Sequence, residues 1–515
     1  MPRSVAAFDL GTGGIKGAVF DAAGVCLAEH VVSYKTLFPA PSRHEQRPQD
    51  WWQAFLDCFG ALLARPEVDA PQISAIAFSG HSLGCIPLDE NGAPLQDAVP
   101  IWSDGRAGAQ ADAFFTRFDQ DRWYRTTGNG FPAPLYTLFK IMWLRDEAPE
   151  VFARARTIIG TKDYINLRLT GRIATDISYA SGSGCFDLAA GRYSDEILAA
   201  AGIDPALLPP VVASTETIGA LRPEFREQFG LAADVKVIAG GVDNSCMALG
   251  SATFAEGDIF SSMGSSSWLT VSSARPLLDD HVHSYAFAHV VPGQFISATS
   301  IFSSGTSIGW IRDRLTPDIG EKAAADGRNA YEAMIERALT SPPGARGLLF
   351  VPTLAGGTAL EGGPAVRGAF VGLDLQHERA DILRAGLEGI ALGLRVALDE
   401  LRRMTTVSDE IIAVGGGAQS AAWRQIFADV FGCTILKTRV DQEAAALGAA
   451  ALALVGIGLW EDFEPVRALH VPEGRAQPQP ATRAVYDAAL AAYRQAAAQQ
   501  RDLASALERL RAIST

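Results

Sequence analysis

Asp9-Leu10-Gly11-Thr12-Gly13-Gly14 lies directly between two apolar runs, and its reading decides the fold. Val5–Phe8 reads as a buried strand and Ala18–Phe20 as the strand that returns. The glycine-rich turn between them leaves backbone N–H groups free to close on an anion without Cβ interference. An acidic residue at the strand end suits a metal ion riding on that anion. The pattern predicts a seat for nucleotide phosphates and magnesium, with an ordinary glycine hairpin as the alternative for this segment alone. Two familiar phosphate loops are excluded. The third glycine of Gly-x-Gly-x-x-Gly would fall on Lys16, and a strand follows where the dinucleotide fold needs a helix. No Gly-x4-Gly-Lys-Ser/Thr occurs in the chain.

The chain has 515 residues, too many for one core, so two large domains are expected. Its formal charge of −14 argues against nucleic acid and anionic membranes, which reward basic patches. Six cysteines (Cys26, Cys58, Cys85, Cys185, Cys246, Cys433) are scattered with no Cys-x-x-Cys, as reduced thiols acting as small core residues would be. No apolar run approaches the roughly 20 residues that span a bilayer. A strand begins too near the amino terminus to leave room for a secretory leader. A cytoplasmic protein is expected.

The reading is α/β almost throughout. Ile73–Phe78, Val235–Ala239, Asp258–Ser261, Trp268–Val271, Leu348–Val351 and Ile411–Val414 are short apolar runs punctuated by glycine or serine, which predicts core strands. Amphipathic helices lie between them. The clearest places Leu383, Leu387, Ile390, Leu394, Leu398 and Leu401 at steps of three and four. Arg475–Pro480 reads as a polar linker, and Thr482–Ala512 as an alanine-rich helix with Tyr486, Leu490 and Tyr493 on one side. Phe260–Thr270 repeats the form strand, glycine-polar turn (Gly264-Ser265-Ser266), strand, half a chain after the first such turn. Two such hairpins facing each other would clamp a triphosphate, and the repetition predicts a duplicated architecture. The domain boundary is placed near Asn244–Ser251, giving domains 1–246 and 247–515.

Candidate chemistry sits at strand ends. Asp243 and Asn244 follow Gly240-Gly241-Val242 at the carboxyl end of a strand, where α/β sheets bind ligands. Asp243 could accept a proton from a substrate hydroxyl, or merely close an Asx turn. Gly80, His81, Ser82 and Leu83 also follow a strand. Trp102, Asp104 and Arg106 supply within five positions the aromatic wall and polar groups a sugar site needs. A local Asp104–Arg106 pair with Trp102 as filler, and a structural His81, are the alternatives. Gly415-Gly416-Gly417-Ala418-Gln419-Ser420 closes a strand and opens a helix, with Ser420 placed as its cap. Three glycines let a flat base lie on the backbone, or make a tight connection. Glu443–Ala451 is expected to pack beneath that loop.

In their order along nearly the whole chain, these segments resemble the FGGY family of carbohydrate kinases, within the actin–hexokinase ATPase fold. Asp9–Lys16, Glu45–Trp52, Trp102–Arg106, Gly240–Asn244, Gly264–Ser266, His289–Gly293, Ser304-Gly305 with Trp310, Arg367–Phe370 and Gly415–Ser420 carry the likeness, and xylulokinases are the member class it looks most like. The resemblance implies two actin-like, ribonuclease H-like α/β domains flanking a central catalytic cleft, with ATP and Mg²⁺ as cofactors and a sugar hydroxyl as acceptor. It implies Asp243 as general base and Asp9 beside magnesium. Gly11, Thr12, Gly13, Lys16, Gly264, Ser265, Ser266 and Gly305 would hold the phosphates, and Gly416, Gly417 and Ser420 the adenosine. Gly80, His81, Ser82, Leu83, Trp102, Asp104, Arg106 and Asn244 would line the sugar side. Homodimerisation is left open. Xylulokinases carry Gly-Gln-Met-His-Gly where this chain has Gly80-His81-Ser82-Leu83-Gly84, so a ketopentose such as D-xylulose, ribulose, a tetrulose or a polyol all stay open as substrates. So does a non-catalytic ATP- or sugar-binding protein on the same fold.

Overall fold

The computed structural model describes residues 3–279, 283–441 and 443–514. Its frame is two seven-stranded sheets. The first contains β1 (Ser4–Leu10), β2 (Gly14–Asp21), β3 (Cys26–Ser33), β4 (Ile73–Gly80), β5 (Thr217–Ala220), β6 (Lys236–Ile238) and β7 (Gly241–Val242). They run in the order β5-β6-β4-β1-β2-β3, with β7 also on β4. The second contains β8 (Ile259–Met263), β9 (Ser267–Ser273), β10 (Tyr285–Ala288), β11 (Phe295–Ile301), β12 (Glu410–Val414), β13 (Thr434–Thr438) and β14 (Pro472–Ala476), ordered β10-β11-β9-β8-β12-β13-β14.

The two sheets share one plan. In each, an antiparallel hairpin (β1-β2, β8-β9) is extended by a third antiparallel strand (β3, β11). On the other side the first hairpin strand pairs in parallel with β4 or β12, which pairs in parallel with β6 or β13. An antiparallel edge strand, β5 or β14, closes each sheet. The duplication predicted from two glycine hairpins thus extends to six strands of each sheet, with β7 and β10 outside the shared plan.

The helices that shape the site are α1 (Pro48–Leu63), α2 (Asp243–Gly250), α3 (Arg379–Met404), α4 (Ala421–Phe431), α5 (Ala444–Gly456) and α6 (Arg483–Ser514). Strand β1 is apolar from Val5 to Phe8 because both of its faces are covered there. Ala6, Phe8 and Leu10 point to α1 and meet Trp51, Phe55 and Phe59, with Phe8 edge-on to Phe55 at 5.0 Å between ring centres. Val5 and Ala7 point the other way, onto Leu249 of α2 and the alanines of α5. In the second lobe, all six apolar residues of the predicted α3 stripe are buried. A reciprocal capping box between Glu378 and Asp381 starts that helix. Among the described residues no helix is long and apolar enough to cross a membrane.

Two expectations need correction. Helix α5 packs on β1, β4 and α2 of the first lobe rather than beneath the Gly415–Ser420 loop. There α2 and α5 touch backbone to backbone. A Cβ on Gly448 would stand 1.9 Å from the carbonyl oxygen of Cys246, and one on Gly250 would stand 1.8 Å from that of Ala444. The Arg475–Pro480 linker begins inside β14, because pairing with β13 makes a strand of a segment that has no apolar alternation.

Candidate active site

Register brings the first acidic residues together. Parallel pairing sets Asp9 beside Ser79, and on the far side of β4 the short β7 sets Gly241 beside the same serine. Ser79 Oγ donates to Asp9 Oδ1 at 2.7 Å. Between β6 and β7 the chain kinks at Gly240, whose φ is +75° and where a Cβ would stand 2.0 Å from the carbonyl oxygen of Phe78. Only glycine fits there. The kink delivers Asp243 to the first turn of α2. Its Oδ1 accepts from the Asn244 N–H at 2.8 Å, and its Oδ2 accepts nothing from the described residues. Burial first, and the Asp9 charge second, push the Asp243 carboxyl up to about 7. Burial also raises Asp9, against the opposing pull of Ser79 and Lys16. Two carboxyls share a site with little positive charge, which suits a divalent cation on one and a proton on the other.

Both glycine turns have occupied carbonyls and free N–H groups. In the first, Gly11 N–H closes on the Gly14 carbonyl at 3.0 Å. The Tyr34 hydroxyl donates to the Gly11 carbonyl, and Gln46 Nε2 donates to that of Thr12 at 2.7 Å. Trp102 Nε1 donates to Thr12 Oγ1 at 2.8 Å. The N–H groups of Thr12 and Gly13 then donate to nothing among the described residues. In the second turn, Gly264 N–H closes on the Ser266 carbonyl at 3.0 Å, and those of Ser304 and Gly305 take the carbonyls of Ser265 and Gly264 at 3.1 and 3.0 Å. Here Ser265 and Ser266 keep their N–H groups unused. Each turn is therefore a small anion nest.

The lobes meet across a cavity of about 500 Å³ lined by Lys16 on β2 and by Asp441 and Glu443 from the second half of the chain. Asp441 also shapes the glycine loop: Gly415 N–H donates to its Oδ1 at 2.7 Å, and Gln419 Nε2 to its other oxygen. Gly416 and Gly417 remain accessible, and Ser420 Oγ caps α4 by accepting from Trp423 N–H at 3.3 Å.

His81, Ser82 and Leu83 follow β4 and are buried. His81 N–H bonds the Leu10 carbonyl at 3.0 Å, and its Nε2 has no partner among the described residues. Burial holds the imidazole near 4, hence neutral. Leu83 has φ +59°. Its carbonyl accepts from Lys140 Nζ at 2.9 Å, and the same nitrogen donates to the Ile101 carbonyl at 2.6 Å. Lys140 thus staples the Gly80–Leu83 segment to the one carrying Trp102. Asp104 and Arg106 are engaged locally. Asp104 is 0% exposed, takes the His44 N–H at 2.7 Å and pairs with Arg106, which also meets Glu45 at 2.6 Å. This group fixes the loop that presents Trp102, itself 37% exposed. Asn244 lies half-buried beside Asp243.

Sequence reasoning missed the supports. Gln46 entered only as part of the Glu45–Trp52 run that carries the family likeness, with no structural role assigned, and its Oε1 accepts from Trp51 Nε1 at 2.8 Å. Lys162 gave no signal, since its partners come from distant segments. It is fully buried, with Asp163 at 2.6 Å and Asp176 at 2.9 Å, and donates to the Ala239 carbonyl at 3.2 Å. Asp176 accepts from the Ser178 hydroxyl, whose oxygen accepts the Val242 N–H at 3.0 Å. This group grips the backbone on both sides of the Gly240 kink.

The chain is similar to known proteins over nearly its whole length. The profile of the FGGY family of carbohydrate kinases matches with its N-terminal domain over residues 4–250 and with its C-terminal domain over residues 259–457. A xylulose kinase of Lactococcus lactis subsp. lactis is 32% identical, covering 94% of both chains. A gluconokinase of Bacillus subtilis is 30% identical, covering 89% of this chain and 88% of its own. The ligand-bound crystal structure of xylulose kinase from Lactobacillus acidophilus superposes with a TM-score of 0.90 at 25% identity, covering 99% of this chain and 100% of the other.

Proposed function

The chain belongs to the FGGY family of carbohydrate kinases, and we propose that it transfers the γ-phosphoryl group of ATP to a hydroxyl of a ketopentose, D-xylulose first. The observation that carries this reading is Asp243, with one carboxylate oxygen free, in a lobe whose phosphate nest is repeated in the lobe opposite. Asp243 accepts the proton of the attacking hydroxyl as that oxygen bonds to the γ-phosphorus and ADP leaves. The free N–H pairs at Thr12-Gly13 and Ser265-Ser266 hold the phosphates and stabilise charge on the transferring group. Adenosine lies on Gly416-Gly417, and the acceptor lies against Trp102 and Asn244. Asp9 would hold magnesium, whose charge would offset that of the triphosphate.

The relatives favour xylulose, and a gluconokinase at nearly the same identity favours an acid sugar as the second reading. Ser82 and Leu83 decide between acceptors, because Leu83 offers no hydrogen bond where an imidazole would. An acceptor panel of D-xylulose, D-ribulose, erythrulose, gluconate and xylitol with coupled ADP detection tests both levels. D-Xylulose is expected to give the highest kcat/KM. A higher value on another acceptor would overturn the sugar, and ADP release that no acceptor stimulates would overturn the kinase reading.

A further inference from the structure

Apart from the cleft, the second lobe holds a cavity of about 440 Å³ between the Thr353–Glu361 loop, the carboxyl-terminal half of α3 and α6. None of the residues assigned above to nucleotide or acceptor lines it. Three guanidiniums do. Arg403 is paired with Asp279 and Glu400, and Arg494 with Asp399, which orients both and leaves N–H groups to spare. Arg501 has no ion pair among the described residues, and its stem rests on Gly362. On the opposite wall, Thr353 Oγ1 and Glu361 Oε1 are buried without hydrogen-bond partners among the described residues. Unpaired polar atoms in such positions are costly, so a cavity that retains them is suited to a ligand that pairs them. Tyr493 is buried beside them. Burial first, and then the Glu361 charge, raise its phenol, which stays a neutral donor. Val351 and Val396 add an aliphatic side.

We propose that this cavity binds a small phosphorylated sugar. The phosphate meets Arg501 and the spare donors of Arg403 and Arg494. Sugar hydroxyls pair Thr353, Glu361 and Tyr493, and a C–H face lies on the valines. Free phosphate would leave the buried oxygens unpaired, and a free sugar would leave Arg501 unpaired. The site adjoins the catalytic machinery through bonds. Ala355 N–H donates to Ser303 Oγ and Ser307 Oγ donates to the Pro352 carbonyl, both at 3.0 Å, in the segment whose Ser304 and Gly305 hold the second phosphate turn.

Isothermal titration of the full chain with D-ribose 5-phosphate, in saturating ADP and D-xylulose so that both parts of the cleft are filled, tests the proposal. One equivalent is expected to bind, inorganic phosphate and D-ribose each at least tenfold more weakly. Arg501→Gln, at an exposed position, and Tyr493→Phe, which removes one oxygen, should each weaken binding about tenfold or more with unchanged melting, while Asp243→Asn should leave it intact. No heat at millimolar ligand, equal affinity for inorganic phosphate, indifference to both cavity substitutions, or loss of binding in Asp243→Asn would overturn it.

Discussion

Replacing Asp243 with asparagine is expected to move stability and turnover in opposite directions. The side chain keeps its shape and loses its charge. In the folded protein this carboxyl sits at about 7 instead of 3.8, through burial and the neighbouring Asp9. The folded state therefore favours the protonated form. Below about pH 4 both folded and unfolded chains carry the proton, and the difference has no effect on stability. Between pH 4 and 7 the unfolded chain ionises first, so wild-type stability falls as pH rises and then levels off. At about 1.36 kcal/mol per pH unit, a gap of about three units sets the plateau at roughly 4 kcal/mol. Asparagine resembles the protonated acid and escapes that cost. The variant should gain roughly 4 kcal/mol over wild type at pH 8 but under about 2 kcal/mol at pH 5. Turnover should fall by a factor on the order of 10²–10⁴ through loss of the base. Urea unfolding at the two pH values gives the first quantity, and coupled ADP release the second. A stability difference independent of pH, or turnover near wild type, would refute the assignment of Asp243 as a desolvated base.

In the wild-type enzyme, kcat/KM should decline about tenfold per pH unit on the acid side of a midpoint near 7, because the base must be unprotonated in the free enzyme; a profile flat to pH 5.5 would contradict this. Lys162→Met should cost about 3–5 kcal/mol in thermal unfolding, since it strands Asp163 and Asp176 without their shared cation, and a neutral effect would dissolve the proposed support of the Gly240 kink. Gly448→Val should cost about 3 kcal/mol or more and raise protease sensitivity, as its Cβ meets backbone rather than a movable side chain, whereas unchanged melting would mean the helices can part without penalty.

What could be read from sequence follows a physical divide. The two hairpins announce themselves because strand period and glycine turn are local signals, and the α3 stripe because one helical face is apolar. Helix α5 is apolar all round, so no face betrays its partner, and only the tertiary contact places it on the first sheet. Lys140 and Lys162 are polar residues at core depth, made tolerable by oxygens from remote segments such as Leu83, Ile101 and Asp176. Asp104 and Arg106 looked like sugar ligands by composition, and the local pair weighed as their alternative is the arrangement in the structure. Composition reports which groups are present and leaves open where their hydrogen bonds go.

The crossing of α2 and α5 also bears on how this polypeptide emerges from the ribosome. Residues 3–242 assemble all seven strands of the first sheet, yet the surface formed by Val5, Ala7, Ala18, Ala75 and Ala77 is roofed by residues 446–453, synthesised some two hundred positions later. Until translation passes that point the nascent amino-terminal half carries a greasy plane that α2 covers only in part, and Asp243 heads a helix that lacks its α5 neighbour. A truncation at residue 250 should be recovered from cells bound to chaperones or in inclusion bodies, and adding back a peptide spanning 440–460 should raise its yield in solution.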